Sequence, residues 1–275
     1  MRTLMWSVRR ELWEHRWVYR VPVLLGGALM AVAAWQTGGK VSGFDAAANP
    51  MSAAVARSVS VNLDTAARMI LLTSVVVAFV YCAEALHSER HDRSILFWKS
   101  LPVGDGTAIA GKAAVPLIII PGLAFAMVLV CQVVARASFA GTGGRFHSVL
   151  ASPGAAIVEA AVGALWIAPM YAWILFVSAR ARRAVLLVAF LPPMLVSMVE
   201  SLGTSSNTIS QALFHRGIGR YWPRGHLELV GGIDALTLAP ATVLLRSASL
   251  WMGVIVAALL LVGVVRARRR SAESL

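Results

Sequence analysis

The chain has 275 residues, of which 58% are hydrophobic and 14% are charged, and its mean hydropathy is +0.73. An average soluble domain is about half apolar and about a quarter charged, so this composition argues against a soluble protein and favours an integral membrane protein. The net charge of +12 would indicate nucleic-acid binding in a soluble protein, but the basic residues lie beside apolar runs, which favours topology signals and anionic lipid headgroups instead. The two cysteines, Cys82 and Cys131, are too few for a disulfide scaffold or a four-ligand zinc site, and we expect them to be buried apolar side chains.

Residues 1–17 show the pattern of an amphipathic helix. Its apolar positions recur at helical spacing, while its charged residues fall on other faces. We expect this helix to lie flat on the inner leaflet, with Trp6, Trp13 and Trp17 in the headgroup region. The alternatives are an unstructured cytosolic tail, or a signal peptide whose basic region, at about 20 residues, is too long. The apolar positions are Leu4, Met5, Val8 and Leu12.

Six apolar runs approach the ~20 residues that a helix needs to cross the hydrocarbon core. They predict an all-α, single transmembrane domain over residues 1–275, because only helices satisfy the backbone within one segment and no alternating barrel pattern is present. The third run carries Pro116 and Pro121 and the fifth carries Pro192 and Pro193, so we expect kinks in both. The spans are 18–35, 69–86, 113–135, 154–179, 184–200 and 247–265.

The distribution of basic residues predicts the orientation of these spans. With both termini on one side, that side holds 16 of the 25 Lys and Arg residues, including the dense runs at 178–184 and 265–270. Because Lys and Arg are retained on the cytoplasmic side, both termini are predicted to be cytoplasmic. The abundance of Arg, Ala and Gly is typical of a GC-rich bacterial genome, so the inner membrane of a bacterium is the expected location. The segment 201–246 is then extracellular, and its length favours short re-entrant or interfacial helices over a structureless loop, with Tyr221 and Trp222 at the surface.

The stretch Ser88–Lys112 is a charged cytosolic excursion between the second and third spans. Ile95, Leu96 and Trp98 would cluster on one side of a short helix, with Phe97 beside them, before Leu101–Pro102 ends it. Exposed aromatic residues with a charged rim are typical of a docking surface for a protein partner. The alternative is that the aromatic residues only anchor the loop in the headgroups.

The run "SERHDRSILFWKSLPVGDG" resembles the coupling-helix region of the permease subunits of bacterial type-2 ATP-binding-cassette (ABC) exporters. The D-R-S-I-L-F-W-K-S-L-P part is its most specific portion, and the predicted interfacial helix, six spans and extracellular helices extend the resemblance over nearly the whole chain. The resemblance implies a separate ABC ATP-binding subunit that holds ATP and magnesium, no cofactor in this chain, and a second permease, either identical or related. Within the coupling region 88–104, it implies a partner-binding set of Arg90, Asp92, Arg93, Ser94, Ile95, Leu96, Phe97, Trp98, Lys99 and Leu101.

The expected function is therefore export of a hydrophobic or amphipathic substrate, such as a lipid, antibiotic or peptide, driven by ATP hydrolysis in the partner. The coupling region would act as a lever that moves the packed spans, so no catalytic residue is expected in this chain. Glu159 and Glu200, near span ends, and the Pro192–Pro193 pair are candidates for gating or substrate contact. The alternatives are a sensor or docking subunit without transport, and an intramembrane enzyme.

Two other patterns resemble functional motifs but have simpler structural explanations. A G-x-x-x-x-G-K match ends at Lys112 but is followed by Ala113, where a phosphate-binding loop needs Ser or Thr, so Lys112 is expected to be a membrane-edge anchor. Glu84, His87 and His91 share one helical face, which could form part of a metal site, although a solvated helix end is the expected role.

Overall fold

The computed structural model describes residues 2–38, 50–91, 104–139, 153–181, 184–204 and 241–273, and within these ranges the chain is helical with no strand. This agrees with the predicted all-α class. The helices are α1 (Arg2–Glu14), α2 (Trp17–Gly38), α3 (Pro50–His91), α4 (Asp105–Ala114), a π turn (Val115–Ile119), α5 (Ile120–Phe139), α6 (Pro153–Ser178), α7 (Val185–Thr204), α8 (Ala241–Arg246) and α9 (Ala248–Glu273).

Five segments in the described part of the chain are long and apolar enough to cross a membrane. They correspond to the second to sixth predicted spans, so the chain is an all-helical membrane protein. The first predicted span lies in α2, where the described apolar stretch, Trp17–Leu29, is shorter than a full span. The five segments are Met69–Ser88, Asp105–Val130, Ala160–Ser178, Val185–Gly203 and Ala248–Arg269.

The central helix of the bundle is α3, which packs against α2, α5, α6 and α7. Tyr81, Cys82 and Ala85 of α3 are fully buried, as are Ile174 and Leu175 of α6. Small and large apolar side chains are interspersed in this cluster, as in other closely packed helix interfaces. Cys82 is thus a buried apolar side chain, as predicted, and the side chain of Cys131 is outside the described part.

The third span differs from its prediction at its start. The helix begins at Asp105 rather than near Ala113, and Gly106 lies inside α4. At Pro116 the helix widens into the π turn, where the N–H of Ile120 donates to the carbonyl of Val115. Because proline has no N–H to donate, the backbone hydrogen bonds here join residues five apart instead of four apart, and the helix continues.

The last three membrane helices differ strongly in exposure. α9 packs along α6 through small residues, including Ala168, Ala172 and Ala257. In contrast, α7 leaves most of its apolar side chains exposed, which leaves a broad face for lipid or for another chain. Ala184, just before α7, has φ of 48°, a left-handed conformation that is unusual for a residue with a side chain.

The predicted extracellular segment is described only at its ends. The end of α7 extends to Thr204, beyond the predicted span, and α8 is a single short helix before α9. Residues 205–240, with Tyr221 and Trp222, lie outside the described residues.

Candidate functional site

The most unusual feature of the structure is a buried ion pair between α1 and α4. The Lys112 ammonium lies 3.0 Å from each carboxylate oxygen of Glu11, and the two side chains are 1% and 0% exposed. Lys112 also donates to the carbonyl of Ala85 at 2.7 Å, and the Tyr81 hydroxyl donates to Glu11 Oε2 at 3.0 Å. Arg10 donates to Glu11 Oε1 at 2.9 Å. The cluster therefore joins three helices, α1, α3 and α4, through charge-assisted hydrogen bonds.

The electrostatics of this cluster favour the charged form of Glu11. Burial acts to raise the pKa of its carboxyl, but the Lys112 ammonium, with additional contributions from Arg10 and the Tyr81 hydroxyl, leaves the pKa below its ordinary value. A buried pair of this kind gives little net stability relative to apolar residues of the same size, but removing one partner leaves an uncompensated charge. The pair therefore fixes where α1 sits on α4.

A glycine permits this close approach of α1 to α4. A Cβ atom on Gly111 would lie 2.5 Å from Oγ and 3.0 Å from Cβ of Ser7, closer than side chains tolerate. Ser7 and Glu11 are one helical turn apart and form the buried face of α1. Hence Gly111 and Lys112, which end the phosphate-loop pattern, serve helix packing. The glycine leaves room for α1, and the lysine forms an ion pair with it.

His15 and Glu14 lie next to this cluster. The His15 ring packs edge-on against Tyr81, with centroids 5.3 Å apart. Among the described residues, the ligand atoms of Glu11, Glu14 and His15 lie within 4.8 Å of one another, close enough to share a cation. Because Glu11 is already neutralised by Lys112, a divalent cation there would have to displace the ammonium, and the arrangement does not favour a metal.

Two further polar contacts tie helices together at the same end of the bundle. Arg268, near the end of α9, lies 3.5 Å from Asp105 in the first turn of α4. Ser178, the last residue of α6, donates to the carbonyl of Ala83 at 2.7 Å and accepts from the backbone N–H of His87 at 3.1 Å. The Ser178 side chain is fully buried, so this contact holds the end of α6 to α3.

The predicted coupling segment lies between the helices that these contacts secure. Arg90 is in the last turn of α3, although its side chain is not described, and α4 begins at Asp105. The flanks of the segment are thus tied to α1, α6 and α9. The other coupling residues are outside the described part of the chain: Asp92, Arg93, Ser94, Ile95, Leu96, Phe97, Trp98, Lys99 and Leu101.

The remaining predicted residues are not brought together into one site. Glu159 is in α6, with its side chain outside the described part, and Glu200 is half-buried in α7. Pro192 and Pro193 lie within α7, which continues through both. Glu84 is exposed and His87 is half-buried in α3, whereas the side chain of His91 is not described.

Lys112 was predicted to be a membrane-edge anchor, and the structure adds that its ammonium is buried against Glu11. Glu11 and Tyr81 were missed as site residues. The sequence signalled only the need for some carboxylate partner, because a lysine followed directly by an apolar run requires one if it is buried, and it did not identify Glu11. Glu11 lies on the face of α1 opposite Arg9, which distinguishes it from the exposed charges.

Comparison of the chain with protein-family models, with curated proteins and with solved structures gave no match.

Proposed function

We propose that this chain is the permease subunit of an ABC exporter of the type-2 class, with six spans, both termini cytoplasmic, and extracellular helices between the last two spans. It forms the pathway for a hydrophobic or amphipathic substrate, and a separate ABC subunit binds and hydrolyses ATP. The proposal begins from the sequence resemblance around residues 88–104.

One structural observation supports this proposal most strongly. Both flanks of the coupling segment are fastened to other helices by buried or half-buried polar contacts, at one end of the bundle. Movement of the coupling segment can move the membrane spans only if the helices that flank the segment are held rigidly. Otherwise the displacement would be absorbed by local changes in the flanking helices. Helices α3 and α4 fulfil this condition, since Glu11, Arg268 and Ser178 link them to α1, α9 and α6. Displacement of such packed units is an established mode of switching.

The exposed apolar faces support the proposed assembly. Most large side chains of α7 are exposed, among them Leu187, Met194 and Val199. In a bilayer such a face meets lipid or a second permease, identical or related, and a pathway between two permeases would be lined by apolar groups. This lining favours lipid-like or drug-like cargo.

The direct test is co-purification with an ABC ATP-binding subunit that is co-expressed from the same source organism. We expect the wild-type chain to retain that subunit, and Phe97→Ala with Trp98→Ala to lose most of it, because truncating aromatic anchors at the centre of an interface removes about 2 kcal/mol or more. The matched control is Trp35→Ala, which removes an 86% exposed tryptophan. Trp35 lies at the end of α2 that is far from α1, so this variant should leave the ATPase bound.

Reconstituted vesicles then separate transport from docking. We expect ATP-dependent movement of a fluorescent phospholipid in vesicles that contain both subunits, and none when ATP is omitted. Retention of the ATPase by the Phe97 and Trp98 variants would contradict the coupling assignment. Binding of the ATPase without any movement of cargo would instead support a sensor or docking subunit.

A further inference from the structure

One face of α1 carries large exposed apolar side chains and an arginine. Met5, Trp6 and Trp13 are 72%, 66% and 62% exposed, and Arg9 is exposed between them. We call these four residues the Trp–Arg stripe. They lie at helical spacings on one face of α1, and Arg9 is about 200° around the helix from Glu11. The stripe therefore faces away from the buried ion pair.

The rings of the stripe hold the guanidinium of Arg9. The Arg9 guanidinium carbon lies 5.6 Å from the centre of the Trp6 ring and 5.1 Å from that of the Trp13 ring. Cation–π contacts at these distances restrain a side chain that would otherwise be mobile. The planar guanidinium is thus held beside two indole rings, and its geometry suits bidentate binding of a phosphate.

The charge of Arg9 is not neutralised by its own helix. The two carboxylates of α1 are engaged elsewhere: Glu11 binds Lys112 and Arg10, and Glu14 lies 3.4 Å from Arg10 Nε. The stripe is therefore a cationic and aromatic surface, and its electrostatic complement is an anion that also carries apolar groups.

The packing of α1 fits a location at the edge of the hydrocarbon. The Glu11–Lys112 pair and the Ser7–Gly111 contact hold the opposite face on α4, so the stripe cannot rotate inward. The chain then enters the apolar helix α2 at Trp17, three residues after α1 ends. Tryptophan is enriched at this depth, where its ring meets the acyl boundary and its N–H meets the headgroups.

We propose that the Trp–Arg stripe is a binding site for one anionic phospholipid, with the phosphate on the Arg9 guanidinium and the acyl chains beside Met5, Trp6 and Trp13. This site does not depend on transport or on an ATPase partner. It makes α1 a selective lipid contact rather than a general interfacial helix, because the arginine is held in one place by two rings.

The test uses the full chain, purified in a neutral detergent and titrated with phosphatidylglycerol or with phosphatidylcholine of the same acyl chains. Bound lipid is counted by native mass spectrometry. We expect phosphatidylglycerol to bind in preference, and Arg9→Gln to weaken its binding about fivefold, which corresponds to ~1 kcal/mol for one basic group at an anionic surface. Phosphatidylcholine binding should change less than twofold, because its headgroup has no net charge.

The matched control is Arg180→Gln. Arg180 is also exposed, lies at the same end of the bundle, and stacks on one ring, Phe176, at 4.5 Å. A specific site predicts that this variant keeps the preference for phosphatidylglycerol. Equal losses in both variants would show that diffuse surface charge is responsible, and no loss in Arg9→Gln would overturn the site directly. The apparent melting temperature of each variant, expected to match the wild type, checks that α1 remains folded.

Discussion

Replacement of Lys112 by methionine is the sharpest test of the buried cluster. Methionine keeps much of the length and volume of the lysine stem but removes the ammonium that lies 3.0 Å from both oxygens of Glu11. The carboxylate then remains 0% exposed, with Arg10 and Tyr81 as its remaining partners. We expect a large loss of stability from this single change.

Protonation of Glu11 sets an upper limit on the loss of stability in Lys112→Met. Breaking a buried pair by removing one partner costs about 3–5 kcal/mol. Glu11 can escape part of this cost by taking up a proton, which for an ordinary glutamate at neutral pH requires ~4 kcal/mol. Because Arg10 still compensates some of the charge, we expect a loss of ~3 kcal/mol in the free energy of unfolding. Adding Glu11→Gln, which removes the orphaned charge, should restore at least half of that loss.

The assay is reversible unfolding in mixed micelles, followed by circular dichroism, at several pH values. In the wild type the lowered pKa of Glu11 means that the pair's contribution is complete above the ordinary carboxyl pKa and is lost only as the pH falls through the lowered one. In Lys112→Met, burial should raise the pKa of Glu11, so stability should increase as the pH is lowered from about 8 to about 5. A variant as stable as the wild type, or a double variant no better than the single one, would refute the reasoning.

Two further substitutions test the backbone of the fold in the same assay. Gly111→Ala should destabilise by about 1–3 kcal/mol, because its Cβ meets Ser7 at 2.5 Å, whereas the control Gly122→Ala, with nothing within 4 Å, should be neutral or stabilising. Equal effects at both glycines would contradict the close contact of α1 with α4. Ala184→Gly should raise stability by about 1 kcal/mol, because φ of 48° strains a residue with a Cβ, and a lower unfolding midpoint would argue against that strain.

Hydropathy and length were sufficient to predict the membrane helices. Five of the six predicted spans coincide with helices long enough to cross, because an apolar run of that length has few alternatives in a bilayer. Their ends were less well predicted. The third began early, at Asp105, since a helix in a protein continues into polar sequence wherever neighbouring helices supply partners, here Lys112 with Glu11 and Asp105 with Arg268.

The pairing of Glu11 with Lys112 could not be deduced from the sequence, where the two residues are 101 positions apart. Each taken alone has an ordinary explanation: one acid among the arginines of an amphipathic helix, and one lysine at a membrane edge. Only the tertiary structure shows that Gly111 lets α1 approach, that Tyr81 and Ala85 complete the hydrogen bonds, and that the opposite face of α1 is left with Arg9 between two tryptophans. By itself the sequence determined which segments enter the membrane, because that depends on the local sum of apolar side chains. Which buried charged side chains pair with each other depends on how distant helices pack, and no local sequence pattern contains that information.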